Sequence, residues 1–503
     1  MMSSTTLSLL LFGIIQLITN SKCMNIIDET LSLSPSPSLS SSPLSPSSII
    51  DPSDNETLLN YGHHQPSLSS SSSPGSSLSW NFTQWWNVRQ ADDNQQLYSE
   101  PIIIFQEPTK YLQQYGDFDR FGHIDYRPPS LSSSSSSSNN VNSQTIMIGT
   151  NVFHIDPTFS PRTSIDILNQ TIRQYFSRSR HSSDDKIYLR DLRESLKDKF
   201  LSYGLKTAFH VFKTEYTQDK TKRQTATNII AILPGKYRGT PKDEIYLIGA
   251  HYDTVRRSPG IDDNGSGSAA VLEMARLLTK HKCYFNKTII FTLFDLEEEY
   301  LKGSKYFVQQ YLIPTEIRKN QAKFNGAYIM DMLLAYNQSE SSQSLRDFWP
   351  TLPAFVEEIQ DAGSRGNFMT VWSRRNIDHD LYFFLEKNWK NKNFFPLKLM
   401  DPPLPTFSHE VSKNWSKYSK YGTFARSDHA SFWYPIERDT TFRSILLSDL
   451  GPWRKDMSFH YHRSGDDLRW LRRENLEFMK NTIDSLLATI IDIGDGYCFT
   501  QKI

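Results

Sequence analysis

The sequence predicts an α/β sandwich, and three observations carry that prediction. Strand-like apolar runs alternate with helical stripes from Leu189 onward. Within them a strand, a helix and a strand follow one another at the spacing of a parallel crossover, a connection that needs a dozen or more residues and is usually helical. Acidic residues stand directly after these strands, the place where open α/β sheets build their sites.

Taken in order, Leu189, Leu192, Leu196 and Phe200 recur at helical spacing. A strand over 208–216 follows, then strands over 228–233, 244–250 and 288–294, with Pro234-Gly235 ending the run at 233. Between the last two lies a helix with Val271, Met274, Ala275 and Leu278 on one face. The final helix carries Leu476, Met479, Ile483, Leu486 and Ile490 on one stripe, suited to covering a sheet face. From Asp331 to Ser427 the pattern is irregular and rich in aromatic residues and proline. That stretch is too long for a plain connection and is expected to form an excursion over the site.

The first third of the chain has a different composition. Leu7 to Thr19 is mostly apolar, about as long as a signal-peptide core and far short of the roughly 20 residues that span a bilayer. Residues 1–22 are therefore expected to be a cleaved signal and the protein to be secreted or to reside in the secretory lumen, with no transmembrane anchor. Ser32 to Ser79 and Ser130 to Ser138 are dominated by serine and cannot bury enough apolar surface to offset chain entropy. Residues 23–144 are expected to be mostly disordered. Within them Trp80 to Arg127, with Trp80, Trp85, Trp86 and the run Ile102 to Phe105, is a candidate arm that docks on the compact domain, expected over 145–503.

Asn55, Asn81, Asn169, Asn286, Asn337 and Asn414 begin Asn-x-Ser/Thr sequons, glycosylation candidates in a secreted chain. A seventh sequon at Asn264 lies inside the candidate site, where a glycan would block chemistry, and is expected to stay unmodified. Cys23, Cys283 and Cys498 form no Cys-x-x-Cys pair, which excludes a thiolate zinc site of the usual spacing. Cys283 and Cys498 are consistent with one disulfide or with two separate buried thiols. Lys+Arg and Asp+Glu both number 55, so no bulk basic charge points to nucleic acid. The oligomeric state is not set by the sequence.

Chemistry-bearing residues collect in five pockets. His251-Tyr252-Asp253 follows the apolar run 245–248, Asp262-Asp263 precedes a helix, and Glu297-Glu298-Glu299 follows the strand over 288–294. Asp331-Met332 and Tyr461-His462 complete the set. A hydrolytic zinc site needs imidazole and carboxylate ligands that leave a position for water, and two adjacent metals need a carboxylate that bridges them. Each pocket alone reads as an ordinary charged or core pair; their common position after strands is what groups them.

The ordered strings His251-x-Asp253, Gly260-x-Asp262-Asp263-x-x-Ser266-Gly267, Phe294-x-x-Glu297-Glu298-x-x-Leu301-x-Gly303-Ser304, Asp331-Met332, Ser427-Asp428-His429-x-x-Phe432 and Tyr461-His462-x-x-x-Asp466 resemble the M28 family of co-catalytic zinc peptidases. The resemblance runs from about Asn228 to Asp467 and implies a three-layer α/β/α sandwich around a mixed, largely parallel sheet. It implies two Zn2+ per chain, bridged by Asp262, with His251 and Asp331 on one and Glu298 and His462 on the other. Glu297 becomes the general base, Asp253 the residue that orients His251, and Glu299 a solvated extra. The family's cis peptide falls between Asp262 and Asp263, and its usual glycine before Leu301 is Tyr300 here. Asp428 and His429 are candidate contacts to substrate or to a ligand's supporting groups, and Met332 and Tyr461 candidate pocket walls.

The activity so implied is a secreted metallo-exopeptidase acting on peptide substrates, an aminopeptidase first. A carboxypeptidase or dipeptidase on the same scaffold stays open, since no residue between Asn337 and Arg426 is assignable to an α-amine or a carboxylate. A one-zinc glutaminyl cyclase and an inactive receptor-like homologue are the further alternatives. The intact Asp262-Asp263 pair argues against the first, and the complete ligand set argues against the second.

Overall fold

A computed structural model describes residues 101–108, 144–148, 151–155, 159–216, 219, 221–392 and 394–500. The expected signal, the serine tracts, Cys23, Asn55 and Asn81 lie outside the described residues. All the described residues belong to one compact unit within Gly75–Ile503.

A nine-stranded sheet forms the middle layer. Its strands are β1 (Ile102–Gln106), β4 (Lys206–Glu215), β5 (Arg223–Leu233), β6 (Glu244–His251), β7 (Thr288–Phe294), β8 (Lys323–Met330), β9 (Met369–Trp372), β10 (Leu397–Met400) and β11 (Ser444–Ser448). The order across the sheet is β1-β4-β5-β7-β6-β8-β11-β9-β10. The strands β7, β6, β8 and β11 run parallel to one another, as do β9 and β10, while β1-β4, β4-β5, β5-β7 and β11-β9 are antiparallel. The sheet is thus mixed, with its parallel part at the centre. A separate antiparallel ribbon joins β2 (Gln144–Ile148), β3 (Asn151–Ile155) and β12 (Phe499–Thr500).

Helices cover both faces because the central strands are apolar on both. Ile229, Ala231, Tyr246, Ile248, Ile289 and Phe291 point into one core, with helices α1 (Ile165–Tyr175), α2 (Lys186–Ser202) and α3 (Gly267–Lys280). Ile230, Ile232, Ile245, Leu247 and Ile290 alternate into the other, which holds α4 (Lys302–Phe307) and α5 (Pro353–Asp361). The period of two along each strand sends successive side chains to opposite layers. Further helices include α6 (His379–Lys392), α7 (His429–Trp433) and α8 (Arg473–Ile493), with α6 and α8 on the first face and α7 on the second. Among the described residues no helix is long and apolar enough to cross a membrane.

Two regions make the sequence expectation more specific. Ile102–Gln106, part of the arm expected to dock on the compact domain, docks as an edge strand that pairs antiparallel with β4 from Ile102↔Val211 to Gln106↔Thr207. The run is β-branched and amphipathic at period two: Ile103 and Phe105 pack on the second core while Ile102 and Ile104 stay exposed. The irregular stretch after Asp331 is more than an excursion, since it contributes β9 and β10 to the sheet. Cys283 and Cys498 form a disulfide, next to the antiparallel bridge Tyr284↔Tyr497 that ties the C-terminal segment to the turn after α3.

Candidate metal centre

The parallel order of β6, β7, β8 and β11 puts their C-terminal ends along one side of the sheet, and the loops leaving those ends supply the site. His251 is the last residue of β6, Glu297 and Glu298 follow β7, Asp331 follows β8, and His462 lies in the loop after β11. Asp263 comes from the loop that opens α3. Several of these corners take left-handed backbone without glycine: Leu296 (φ 54°), Tyr300 (69°), Leu301 (60°), Met332 (64°) and His462 itself (59°). Such residues persist only where the surroundings over-determine them, and they cluster here around the candidate ligands.

Asp263 stands between the two imidazoles. Its Oδ1 is 3.4 Å from His251 Nε2 and its Oδ2 is 3.2 Å from His462 Nε2. On one side, Asp331 Oδ1 is 3.5 Å and Glu297 Oε2 3.9 Å from His251 Nε2. On the other, Glu298 Oε2 is 3.2 Å from His462 Nε2. Ligand atoms therefore gather into two adjoining groups, His251-Glu297-Asp331 and Asp263-Glu298-His462.

The sequence reading gave the bridging position to Asp262, and the structure moves it by one residue. The Asp262 carboxylate is turned away under the start of α3, where its Oδ1 accepts from the N–H groups of Leu333 (3.0 Å) and Leu334 (2.9 Å) and from the Ser266 hydroxyl (3.2 Å). The nearby buried Asp449, whose Oδ2 accepts from the Ala335 N–H at 2.6 Å, adds its negative charge to the burial that raises Asp262. An acid so engaged serves to fix the Asp331 loop and cannot face the histidines. The cis peptide correspondingly lies between Asp263 and Asn264, not between Asp262 and Asp263.

Supporting groups hold the cluster from behind. The Asp253 carboxylate is 3.4 Å from His251 Nδ1, and its two oxygens accept from the backbone N–H groups of Glu297 (3.1 Å) and Glu298 (3.2 Å). Asp466 accepts the N–H groups of Asp262 (2.9 Å) and Asp263 (3.0 Å) on its two oxygens. The buried Arg180 donates to the carbonyls of Tyr252, Phe176, Pro259 and Gly260, joining the His251 corner to the Asp263 loop. At Gly260 (φ 58°) a Cβ would lie 2.2 Å from the Asp263 carbonyl oxygen, so only glycine fits this turn. Sequence reasoning missed Arg180 and Asp449, which stand outside every quoted string; it included Asp466 in a string but gave it no role.

Two other expectations change. Glu299 is buried, not solvated, and pairs with Lys302 (2.9 Å) and the Gln224 amide (2.8 Å). His429 is fully buried, shares a 2.8 Å hydrogen bond with the Phe424 carbonyl and packs edge-on against Trp433, so it belongs to the core and does not reach the cleft. Burial pushes its imidazole down to about 3, which keeps it neutral. Asp428 is likewise fully buried; desolvation raises it to about 7 against the pull of His251. Met332 and Tyr461 do line the cleft, beside Trp372, Arg426, Leu446, Pro452 and Trp453.

Among the sequons, Asn286 and Asn414 are exposed, whereas the Asn337 amide donates to Asp456 and Asn169 bonds Arg173 within α1. Asn264 is fully buried, donating to the Met330 carbonyl and accepting from the Gly267 N–H. A glycan there has no room.

Electrostatics shows what the cluster is short of. Asp263, Glu297, Glu298 and Asp331 lie together with histidines as their only ion-pair partners among the described residues. Burial alone would depress both imidazoles, yet the acids outweigh it: Glu297 first among them raises His251, and Glu298 first raises His462 to about 10. Burial in turn raises Glu297 and Glu298, and their mutual repulsion adds to the shift of Glu297. Buried His251 Nε2 and Glu298 Oε1 reach no hydrogen-bond partner among the described residues. Imidazole nitrogens and carboxylates converging without a Lys or Arg fit a divalent cation of the zinc type.

The model of Peptidase family M28 matches residues 228–487, just over half of the chain. Curated relatives include an aminopeptidase of Bacillus subtilis, YwaD, 41% identical over 102 residues (20% of this chain, 21% of the relative). An aminopeptidase of Pseudomonas aeruginosa is 44% identical over 108 residues (21% and 19%). The leupeptin-inactivating enzyme 1 of Streptomyces exfoliatus is 38% identical over 109 residues (22% and 23%). The chain thus spans about a fifth of the length of these relatives. Solved structures that resemble it include an aminopeptidase from Aneurinibacillus sp. strain AM-1, with TM-score 0.45, 14% identity and coverage of 68% of this chain and 96% of that one.

Proposed function

The chain belongs to peptidase family M28, and from that membership and the cleft geometry we propose that it is a zinc metallo-exopeptidase, an aminopeptidase, that hydrolyses peptide bonds. The observation that carries this reading is the Asp263 carboxylate, with one oxygen toward each of two imidazoles. Two Zn2+ fit the two ligand groups: His251 and Asp331 for one, Glu298 and His462 for the other, and Asp263 between them. Bound there, the cations would supply Lewis acidity for a carbonyl oxygen and for water.

The protein's own residues supply the rest. Glu297 lines the cleft beside His251 and takes the proton of the attacking water as its oxygen adds to the carbonyl carbon. When the C–N bond breaks, the same carboxyl returns that proton to the leaving amine. Asp253 holds both the imidazole of His251 and the backbone of Glu297 and Glu298, so base and ligands keep a fixed spacing. Apolar walls at Met332, Trp372 and Trp453 shield the reacting groups from bulk water.

Secretion and glycosylation are part of the proposal. The exposed sequons at Asn286 and Asn414 and the Cys283–Cys498 pairing support it, because disulfides persist in oxidising compartments. A mass drop of the secreted protein on enzymatic deglycosylation is the expected result.

The activity is tested on a mixed panel of peptides with free and acetylated N-termini and free and amidated C-termini, by mass spectrometry of the products. Stepwise loss from free N-termini is expected from the zinc-loaded protein, and none from its Glu297→Gln variant. Loss from free C-termini alone would replace the aminopeptidase reading with a carboxypeptidase. Equal product from protein and variant would sink the peptidase reading.

A further inference from the structure

We propose that Arg426 reads a carboxylate of the substrate, so that the cleft prefers short peptides carrying a free C-terminal carboxylate, or an acidic side chain, one residue beyond the scissile bond. The proposal rests on the metallopeptidase reading for the position of that bond.

Among the described residues that line the cleft, Asp263, Glu297, Glu298, Asp331 and His462 belong to the metal cluster, and Arg426 is the one remaining charged side chain. Among the described residues no acid outside the cluster lines the walls to receive a substrate ammonium. Arg426 is half-buried, and among the described residues no carboxylate lies within ion-pair distance of it. Arginines of this protein that balance buried acids do so by contact, as Arg193 does with Asp295 at 2.5 Å. Arg426 is held instead by groups that leave its charge unspent: it donates to the Tyr461 hydroxyl (3.1 Å) and lies over the rings of Trp453 (5.1 Å) and Tyr461 (6.0 Å). A guanidinium has five N–H donors in a planar fork, and here one of them has a hydrogen-bond acceptor among the described residues.

The support also sets the distance from the chemistry. The Tyr461 ring stacks on the His462 ring, with centroids 3.8 Å apart, so the guanidinium is one aromatic ring removed from a ligand of the cluster. A carboxylate one residue past the scissile carbonyl spans such a gap, and the fork matches its two oxygens. Stacking on two rings fixes the fork before substrate arrives, which lowers the ordering cost of binding.

The test is calorimetric binding to the full-length, zinc-loaded Glu297→Gln variant, which removes turnover from the measurement. Leu-Leu is expected to bind about 10-fold more tightly than Leu-Leu-amide, the size of a charge-assisted hydrogen bond lost. Leu-Glu-amide against Leu-Gln-amide isolates the side-chain source of the same carboxylate. In the Glu297→Gln/Arg426→Met protein both preferences are expected to vanish while zinc content, measured by mass spectrometry, stays the same; Arg426→Lys restores part of them. Preferences that persist without Arg426, or that are absent with it, overturn the proposal. Hydrolysis of the panel by the wild type without such preferences would sink this inference alone, whereas preferences in binding without any hydrolysis would sink the peptidase reading and, with it, the placement of the carboxylate beyond a scissile bond, leaving only a carboxylate contact at Arg426.

Discussion

The two ends of the central strands both bury acids, and they answer them with different partners. At the start of β6, Asp243 and Glu316 converge on Arg238, with Glu316 Oε2 2.7 Å and Oε1 2.6 Å from the guanidinium and Asp243 at 3.2 Å. Burial would raise Glu316, but Arg238 overrides it and holds that carboxylate below its ordinary value. At the other end of the same strands Asp263, Glu297, Glu298 and Asp331 have no such partner, and Glu297 and Glu298 are raised. A buried acid answered by an arginine is a finished structural unit; buried acids answered only by imidazole are poised to receive a cation from outside.

The sharpest way to break the comparison is within the neighbouring pair of aspartates. Asp263→Asn is expected to cost more than the ~100-fold in zinc affinity typical of losing a supporting group, and with it the activity. Asp262→Asn is expected to keep its metal. Metal analysis after dialysis against a weak chelator, with kcat/KM on a leucyl peptide, separates them. If Asp262→Asn is the variant that sheds metal, the bridging role returns to Asp262.

At the opposite end, Arg238→Met leaves Glu316 buried and uncompensated, and is expected to lower unfolding stability by about 3 kcal/mol while zinc content and kcat/KM hold. The urea midpoint measures it. A loss of activity matching the loss of stability would show that the two ends are not independent.

Which end was legible in advance follows from what each uses. The strands β5, β6 and β7 were readable because they are continuous apolar runs closed by Pro-Gly or by acids, and the acids after them marked the site. The sequence could not tell Asp262 from Asp263: they are identical side chains, and which one faces the histidines depends on the turn after Gly260 and on contacts from Leu333, Leu334 and Asp466, all distant in the chain. Arg180 was illegible for the same reason, since its acceptors are backbone carbonyls, which carry no sequence signature. The strands β9 and β10 have four residues each, too few to show a period, whereas the apolar run of β1 stood out from the serine-rich composition around it as a docking arm.

A smaller effect tests burial away from both ends. His210 on β4 is fully buried, with Nδ1 3.0 Å from the Asn228 amide nitrogen and Nε2 3.2 Å from Gln310 Oε1. The Asn228 amide donates and the Gln310 oxygen accepts, so the imidazole fits as one neutral tautomer. Burial pushes it down to about 4, with Gln310 pulling weakly the other way. The unfolded chain takes up that proton at about 6.5. Stability from this group is therefore complete above pH 6.5 and is lost as pH falls toward 4, by about 1 kcal/mol per pH unit. Urea midpoints from pH 8 to 4 should fall less steeply in His210→Gln than in the wild type; parallel curves would exclude His210 as the source.

The smallest expected effect lies at the corner after the paired glutamates, where Tyr300 stands in the place of the family's glycine. Its φ of 69° is left-handed, a conformation that costs an L-residue roughly 1–2 kcal/mol and glycine almost nothing. The Tyr300 ring packs on the second core, so the side chain recovers part of what its backbone loses. Tyr300→Gly gives up that packing, relieves the strain and makes the unfolded chain freer by roughly 0.5–1 kcal/mol, three terms that nearly cancel. Tyr300→Ala keeps the Cβ and its strain but loses the ring, and is expected to be the less stable of the two by about 1 kcal/mol. An alanine variant as stable as the glycine one in urea would mean that this corner stores no strain, and that the left-handed turn beside Glu297 is set by its neighbours without cost to Tyr300.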